Sequence, residues 1–307
     1  MKIVFAGTPE FAVLPLRSIH SAGIEIAAVL TQPDKPQGRK GILTPPPVKE
    51  VAEELGIPVL QIARLREDYS ALATVHADLM VTCAYGQILT QEVLDLFPKG
   101  VWNVHASLLP AYRGAAPIAR AIIDGENLTG VTIMKTDIGL DTGDMFLSEA
   151  TEITEKDTAG TLTARLSEIG ARLIVSAVEK IAAGDVRLTK QGEGAFICKK
   201  VQRTEVDFSA PASAVSALIR GLSPSPLAFA SVEGLVLNFY FAEEVLGDWN
   251  APAGTIVSVS PKEGLIVKCG ENAVKITEIQ PAGGKRMSAR DFLNGRRLRE
   301  GMRFERI

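Results

Sequence analysis

Two short stretches hold the side chains best suited to chemistry. In Trp102-Asn103-Val104-His105-Ala106-Ser107-Leu108-Leu109-Pro110 a strand, with its side-chain period of two, puts Asn103 and His105 on one face. An amide donor beside an imidazolium stabilises an oxygen that gains negative charge as a carbonyl carbon is attacked. An isolated Asn-x-His also occurs as a plain structural pair, so its neighbours decide its meaning. Thr136-Asp137-Ile138-Gly139-Leu140-Asp141-Thr142-Gly143-Asp144 crowds three carboxylates around two glycines. It lacks the fuller oxygen-ligand pattern and the closing glutamate of a calcium loop, and no metal is expected. Asp141 can instead orient or charge the histidine and take up a proton through water. Asp137 and Asp144 also fit a structural turn, and His20 and His76, in helix-like contexts, read as structural.

Two other segments bear on ligands. Gly7-Thr8-Pro9-Glu10-Phe11 is a tight turn opening a helix, where backbone N–H groups can meet an anion. With a single glycine it matches neither the dinucleotide fingerprint nor a P-loop, which removes support for NAD and ATP. The run TQPDKPQGRKGILTPPPVK at 31–49 is too rich in proline, glycine and charge to be buried and is expected to be a long surface loop. Lys35, Arg39, Lys40 and Lys49 there can meet phosphates, or simply be solvated.

These segments need a scaffold. Short apolar runs at 3–6, 24–30, 79–83, 101–104 and 131–134 have the pattern of buried strands. Helix-like spacing falls between them, at 10–21, 47–55, 69–76 and 115–124, and then in a long segment at 159–182. Such alternation implies right-handed βαβ units around a mainly parallel, Rossmann-like α/β sheet. Polar, aperiodic sequence from 188 to about 204 marks a linker. A helix-like segment at 212–221 and β-prone runs at 228–232, 236–242, 254–259, 265–268 and 274–279 follow, and predict a small C-terminal OB-like β-barrel. The expected division is a first domain at 1–188, a linker at 189–205 and a second domain at 206–307.

The 307 residues suit two domains, and 46% hydrophobic with 22% charged residues is ordinary for a globular chain. No signal peptide and no apolar run of membrane-spanning length is read, so a soluble, cytoplasmic protein is expected. Cys83, Cys198 and Cys269 lie far apart without a C-x-x-C pair, as in a reducing compartment. A net charge of -3 excludes a chain that is basic overall but allows a local basic patch. One is present: between 285 and 306 eight basic residues (Lys285, Arg286, Arg290, Arg296, Arg297, Arg299, Arg303, Arg306) face three acidic ones (Asp291, Glu300, Glu305).

Taken together, GTPEF, TQPDKPQGR, AYGQIL, NVHASLLPAYRGAAPI and GVTIMKTDIGLDTGDM resemble the methionyl-tRNA formyltransferase family in identity, order and spacing. The likeness runs from the first strand through the long helix and continues more weakly to PAGGKRMSARDFLNGRR. Asn-x-His with a downstream Leu-Asp-x-Gly is shared by the wider folate-dependent formyltransferases, including the glycinamide ribonucleotide enzymes. The resemblance implies that Asn103, His105 and Asp141 are catalytic, that 10-formyltetrahydrofolate is the donor and that methionyl-initiator tRNA is the acceptor. It implies a folate cleft formed by Tyr85, Gly86, Ser107, Leu108, Leu109, Pro110, Asp137 and Gly139. Contacts to tRNA are expected at Arg39, Lys40, Lys49, Lys199 and Lys200, and the enzyme is expected to act as a monomer. Where many relatives carry Asn-Pro-Trp-Pro, this chain has Ser223-Pro224-Ser225-Pro226, and its basic loop has one lysine fewer than some members. Two alternatives remain open: a formyltransferase for an amino-sugar nucleotide or small amine, or hydrolase of the same donor, and a non-catalytic RNA-binding module.

Overall fold

The computed structural model of the chain describes residues 1–38, 41–260, 264–295 and 298–305. It forms two compact units, Met1–Gly114 with Thr129–Thr151 and Thr163–Ile197, and Ala115–Leu128 with Glu152–Leu162 and Cys198–Ile307. The units therefore do not divide at one point along the chain.

The strands up to the middle of the chain are β1 (Lys2–Gly7), β2 (Glu25–Thr31), β3 (Lys35–Gln37), β4 (Ile42–Thr44), β5 (Val59–Gln61), β6 (Leu79–Cys83), β7 (Val101–His105), β8 (Arg113–Gly114), β9 (Leu128–Lys135) and β10 (Met145–Glu152). Seven of them build one sheet in the order β10-β9-β7-β6-β1-β2-β5. Strands β5, β2, β1, β6 and β7 are parallel, and β9 runs antiparallel to β7. The central strands are apolar because both their faces are covered: all five residues of β6 are buried. The sequence reading missed β5, only three residues long, and β10, none of whose residues is fully buried.

Helix α1 (Val13–Ser21) buries Val13, Leu16 and Ile19 at helical spacing, and α2 (Pro47–Glu54) begins on a proline, whose fixed φ suits the first turn. The expected helix at 69–76 is reduced to the single turn α3 (Ser70–Ala73), and α4 (Gln91–Leu94) is equally short. Where one long loop was expected at 31–49, β3 and β4 pair as an antiparallel hairpin across Gly38 and Gly41, both at positive φ. Helix α5 (Pro117–Ile123) belongs to the second unit, and α6 (Ala159–Ala183) carries the chain from the second back to the first. Within the first unit α6 packs on β7 through Gly170, where a Cβ would stand 2.9 Å from Val104 Cγ1. No helix among the described residues is long and apolar enough to cross a membrane.

After β11 (Ile197–Cys198) come β12 (Thr204–Glu205), α7 (Ala212–Gly221), β13 (Ala228–Val232), β14 (Leu235–Val245), β15 (Ile256–Ser260), β16 (Gly264–Lys268), β17 (Ala273–Pro281), β18 (Met287–Ser288) and α8 (Ala289–Gly295). They form a second sheet in the order β12-β13-β14-β17-β16-β15, with β18 beside β17. The chain's last described residues close it. Phe304 N–H donates to Gly254 O at 2.9 Å, Ile256 N–H to Met302 O at 2.8 Å, and Glu305 N–H to Ser231 O at 2.8 Å, so the tail bridges β15 to β13. Inside, Phe304 lies 5.2 Å from Phe208 and 5.9 Å from Phe239, centroid to centroid. The fold class expected from the pattern, a mainly parallel α/β sheet followed by a smaller β domain, is the one observed.

Phe304→Ala is expected to destabilise the second unit by about 3–5 kcal/mol, read from urea unfolding of β13 and β15 by hydrogen exchange. An unchanged midpoint would show that the tail does not hold the barrel closed.

Candidate active site

The site begins at β7, which lies between two threonine-bearing neighbours. Thr82 on β6 stands in register with Asn103, and Thr132 on β9 with His105. Thr82 Oγ1 donates to Asn103 Oδ1 at 2.9 Å, which leaves the amide nitrogen of Asn103 facing the other way, 3.5 Å from Asp141 Oδ1. Thr132 Oγ1 donates to Ser107 O at 2.8 Å and accepts from Leu109 N–H at 3.2 Å, pinning the loop that leaves the strand.

His105 is buried, and its Nε2 lies 2.9 Å from Tyr112 O. A carbonyl only accepts, so Nε2 carries the hydrogen and Nδ1 is the nitrogen presented to Asp141, whose Oδ2 is 3.7 Å away. The same Oδ2 accepts Gly114 N–H at 2.8 Å. Asn103 and His105 thus reach toward one carboxylate from one face of one strand, as the spacing predicted. Their separations from it are at or beyond the long edge of a hydrogen bond, so a reacting group can approach without breaking a strong contact.

Ala84, Tyr112 and Asp141 adopt positive φ of 48°, 57° and 53°, left-handed positions that a side chain occupies at a cost. At Tyr112 that turn aims the carbonyl at His105. Around Asp141 the loop is fixed by its neighbours: Asp137 Oδ1 accepts from Gly139 N–H at 3.0 Å and Thr142 Oγ1 at 2.6 Å. At Gly143 an added Cβ would fall 1.7 Å from Lys135 O, so only glycine fits. Gln191 Nε2 donates to Asp141 O at 2.8 Å and Gly143 O at 2.7 Å, while its Oε1 accepts from Arg113.

The other expected residues divide. Ser107 and Leu109 are buried in the pinned loop with Leu108 and Pro110 half-buried beside them, and Ser107 Oγ donates to Ala111 O at 2.7 Å. Gly86 and Gly139 are exposed. The Tyr85 ring is buried in a core cluster with Val4, Ala6 and Met80, and burial pushes its phenol above the ordinary range. Its carbonyl accepts from Thr8 Oγ1 at 2.9 Å, so this residue meets the loop surface through its backbone. Lys49 is tied to Asp34 by contacts of 3.0 and 2.8 Å and to Gln61 Oε1 at 3.0 Å, at the base of the β3–β4 hairpin. Its charge therefore anchors the hairpin. Lys199 and Lys200 are exposed; Arg39, Lys40, Arg296, Arg297 and Arg306 lie outside the described residues.

Thr82, Tyr112, Gly114, Thr132 and Gln191 were missed by sequence reasoning. Thr82 was findable, because its place opposite Asn103 follows from aligning two predicted parallel strands. Tyr112 and Gly114 act through backbone atoms, which residue type does not disclose, and Gln191 lies in a polar stretch read as linker.

The sequence matches that of a class of transferases. Residues 1–178 match the family model described as formyl transferase, and residues 199–297 the one described as formyl transferase, C-terminal domain. The chain is 46% identical over 319 residues to a methionyl-tRNA formyltransferase of Paraburkholderia phymatum, covering 99% of this chain and 97% of that one. It is 46% identical over 308 residues to that of Neisseria meningitidis, covering 98% and 99%. A solved structure of an N-formyltransferase from Helicobacter canadensis, with folinic acid and dTDP-3-aminofucose, shares the fold, with a TM-score of 0.68 at 18% identity over 90% of this chain and 99% of that one. The chain belongs to the methionyl-tRNA formyltransferase family.

Thr82→Val, which removes the hydroxyl that orients the Asn103 amide, is expected to lower the turnover of formyl transfer about 10- to 100-fold. Thr82→Ser is expected to stay near the parent rate, and equal rates in steady-state assays of both variants would contradict this role. A second expectation concerns pH. The hydrogen bond from Lys49, then that from Gln61, holds the Asp34 carboxyl below its ordinary range. A depressed carboxyl contributes stability that is present above its unfolded value, about 3.9, and is lost as pH falls through the lower folded value. Carbon NMR titration should place the Asp34 midpoint below that ordinary value, and Lys49→Met should raise it. A midpoint unmoved by Lys49→Met would remove the anchor.

Proposed function

We propose that the chain transfers the formyl group of 10-formyltetrahydrofolate to the α-amino group of methionyl-initiator tRNA, as a monomer in the cytoplasm. The convergence of Asn103 Nδ2 and His105 Nδ1 on Asp141 at the end of a parallel strand carries this reading. Ligands of open α/β sheets bind outside the carboxyl ends of the strands.

In the proposed reaction the neutral amine attacks the formyl carbon, and the carbonyl pair moves onto oxygen. Asn103 and protonated His105 stabilise that oxyanion. Asp141 holds His105 and helps take the amine proton. The tetrahedral adduct then collapses, the bond to the folate nitrogen breaks, and that nitrogen leaves with a proton as tetrahydrofolate. Neither a metal nor a covalent enzyme intermediate is needed. The backbone of Tyr85 and Gly86, the pinned loop Ser107, Leu108, Leu109 and Pro110, and the loop of Asp137 and Gly139 supply the folate cleft.

Residues 1–188 would form the catalytic domain, 189–205 the linker and 206–307 the tRNA-binding barrel. Arg39, Lys40, Lys199 and Lys200 would meet the tRNA backbone, with Lys49 acting through its hold on the hairpin. The excess of basic residues after 285 suits phosphate contacts, and binding should weaken with salt.

The test is formyl transfer from 10-formyltetrahydrofolate to methionyl-initiator tRNA, with elongator methionyl-tRNA as control. Transfer selective for the initiator is expected. It should fall by about 10²–10⁴ in His105→Ala and about 10²–10³ in Asn103→Ala. A folded chain that leaves the charged tRNA unmodified but consumes the donor with a small amine, an amino-sugar nucleotide or water would overturn the acceptor assignment.

A further inference from the structure

Gln191 follows α6 in a stretch with no periodicity, yet all four hydrogen-bonding positions of its side-chain amide are used. The two N–H groups of Nε2 go to Asp141 O at 2.8 Å and Gly143 O at 2.7 Å. The two lone pairs of Oε1 accept from Arg113 Nε at 2.9 Å and Arg113 Nη2 at 2.7 Å. Such an amide has one workable orientation: turned over, its oxygen would face two carbonyls and its N–H groups a guanidinium.

The four contacts bind two segments that the site needs together. On one side are the carbonyls of Asp141 and Gly143, which flank the left-handed turn at Asp141 and the glycine that passes against Lys135 O. On the other is Arg113, between Tyr112, whose carbonyl fixes His105, and Gly114, whose N–H fixes the Asp141 carboxylate. Arg113 is held along its backbone as well, its N–H donating to Phe196 O at 3.1 Å. The clamp therefore spans the gap between the turn that orients His105 and the loop that carries Asp141.

We infer that Gln191 is a positioning residue for the formyl-transfer reaction, holding the Asp141 loop against the Tyr112–Gly114 turn so that Asp141 faces His105 and Asn103. Gln191 acts only through Asp141 and Arg113. This inference rests on the proposed function, and its test separates the two.

Gln191→Glu is the informative variant, because it keeps shape and the acceptor for Arg113 but turns two donors into a carboxylate oxygen facing two carbonyls. Gln191→Ala serves as a second variant, and thermal unfolding checks that both fold. Turnover of formyl transfer is expected to fall about 10- to 100-fold in both, with the KM for each substrate within about threefold. Combined with Asp141→Asn, Gln191→Glu should add no further loss, because the two act as a unit. Hydrogen exchange at the Gly114 amide, which donates to the Asp141 carboxylate, should accelerate at least about tenfold in Gln191→Glu, whatever the substrate proves to be. A folded Gln191→Glu with parent turnover and parent protection at Gly114 would overturn the inference, as would a loss fully additive with Asp141→Asn. A parent chain inactive on methionyl-tRNA, with Gly114 deprotected in the variant, would instead refute the functional reading and leave the clamp standing.

Discussion

The buried hydrogen bond between His105 Nε2 and Tyr112 O, 2.9 Å long, decides which nitrogen of the imidazole faces Asp141. Because the carbonyl has no hydrogen to give, the ring must, and Nδ1 is left facing the Asp141 carboxylate. The bond exists because Tyr112 takes a left-handed backbone conformation that turns its carbonyl back toward β7. Two residues later Gly114 N–H reaches the Asp141 carboxylate. One tight turn after β7 thus sets both the ring and its partner, and the positive φ at Tyr112 and Asp141 is local strain retained where it aims functional groups.

A catalytic carbonyl chemistry needs its donors fixed before the charge appears, since donors that must reorient lose much of their effect. Here the fixing is done by cross-strand neighbours. Thr82 holds the amide of Asn103 from one side of β7, and Thr132 holds the loop at Ser107 and Leu109 from the other. Behind the strand, Gly170 lets α6 approach Val104 closely. The sheet does more than carry Asn103 and His105: register, which places specific residues opposite each other, supplies their orienting partners.

Much of this was legible in the sequence, for physical reasons. Strands buried on both faces read as apolar runs, so β6 was found with its bounds, as was β13 in the second sheet. Asn103 and His105 share a face because strand geometry leaves no alternative. The edge strand β10 has no fully buried residue to set a clear pattern, and the helical spacing at 69–76 runs beyond the single turn that α3 forms. Roles played by backbone atoms, as at Tyr112 and Gly114, leave no signature in residue type. Lys49 read as a free cation because Asp34, fifteen residues earlier, meets it only after the hairpin folds back.

The proposed chemistry requires the Asp141 carboxylate to stand within reach of Asn103 and His105. Single-turnover transfer of labelled formyl from 10-formyltetrahydrofolate to methionyl-initiator tRNA, comparing the parent with Asp141→Asn, addresses this most directly. The substitution keeps shape and the acceptor for Gly114 N–H while removing the charge beside His105. A fall of about 10²–10⁴ in the rate of the chemical step, with substrate binding retained, is the predicted result. Transfer by Asp141→Asn at the parent rate would contradict it.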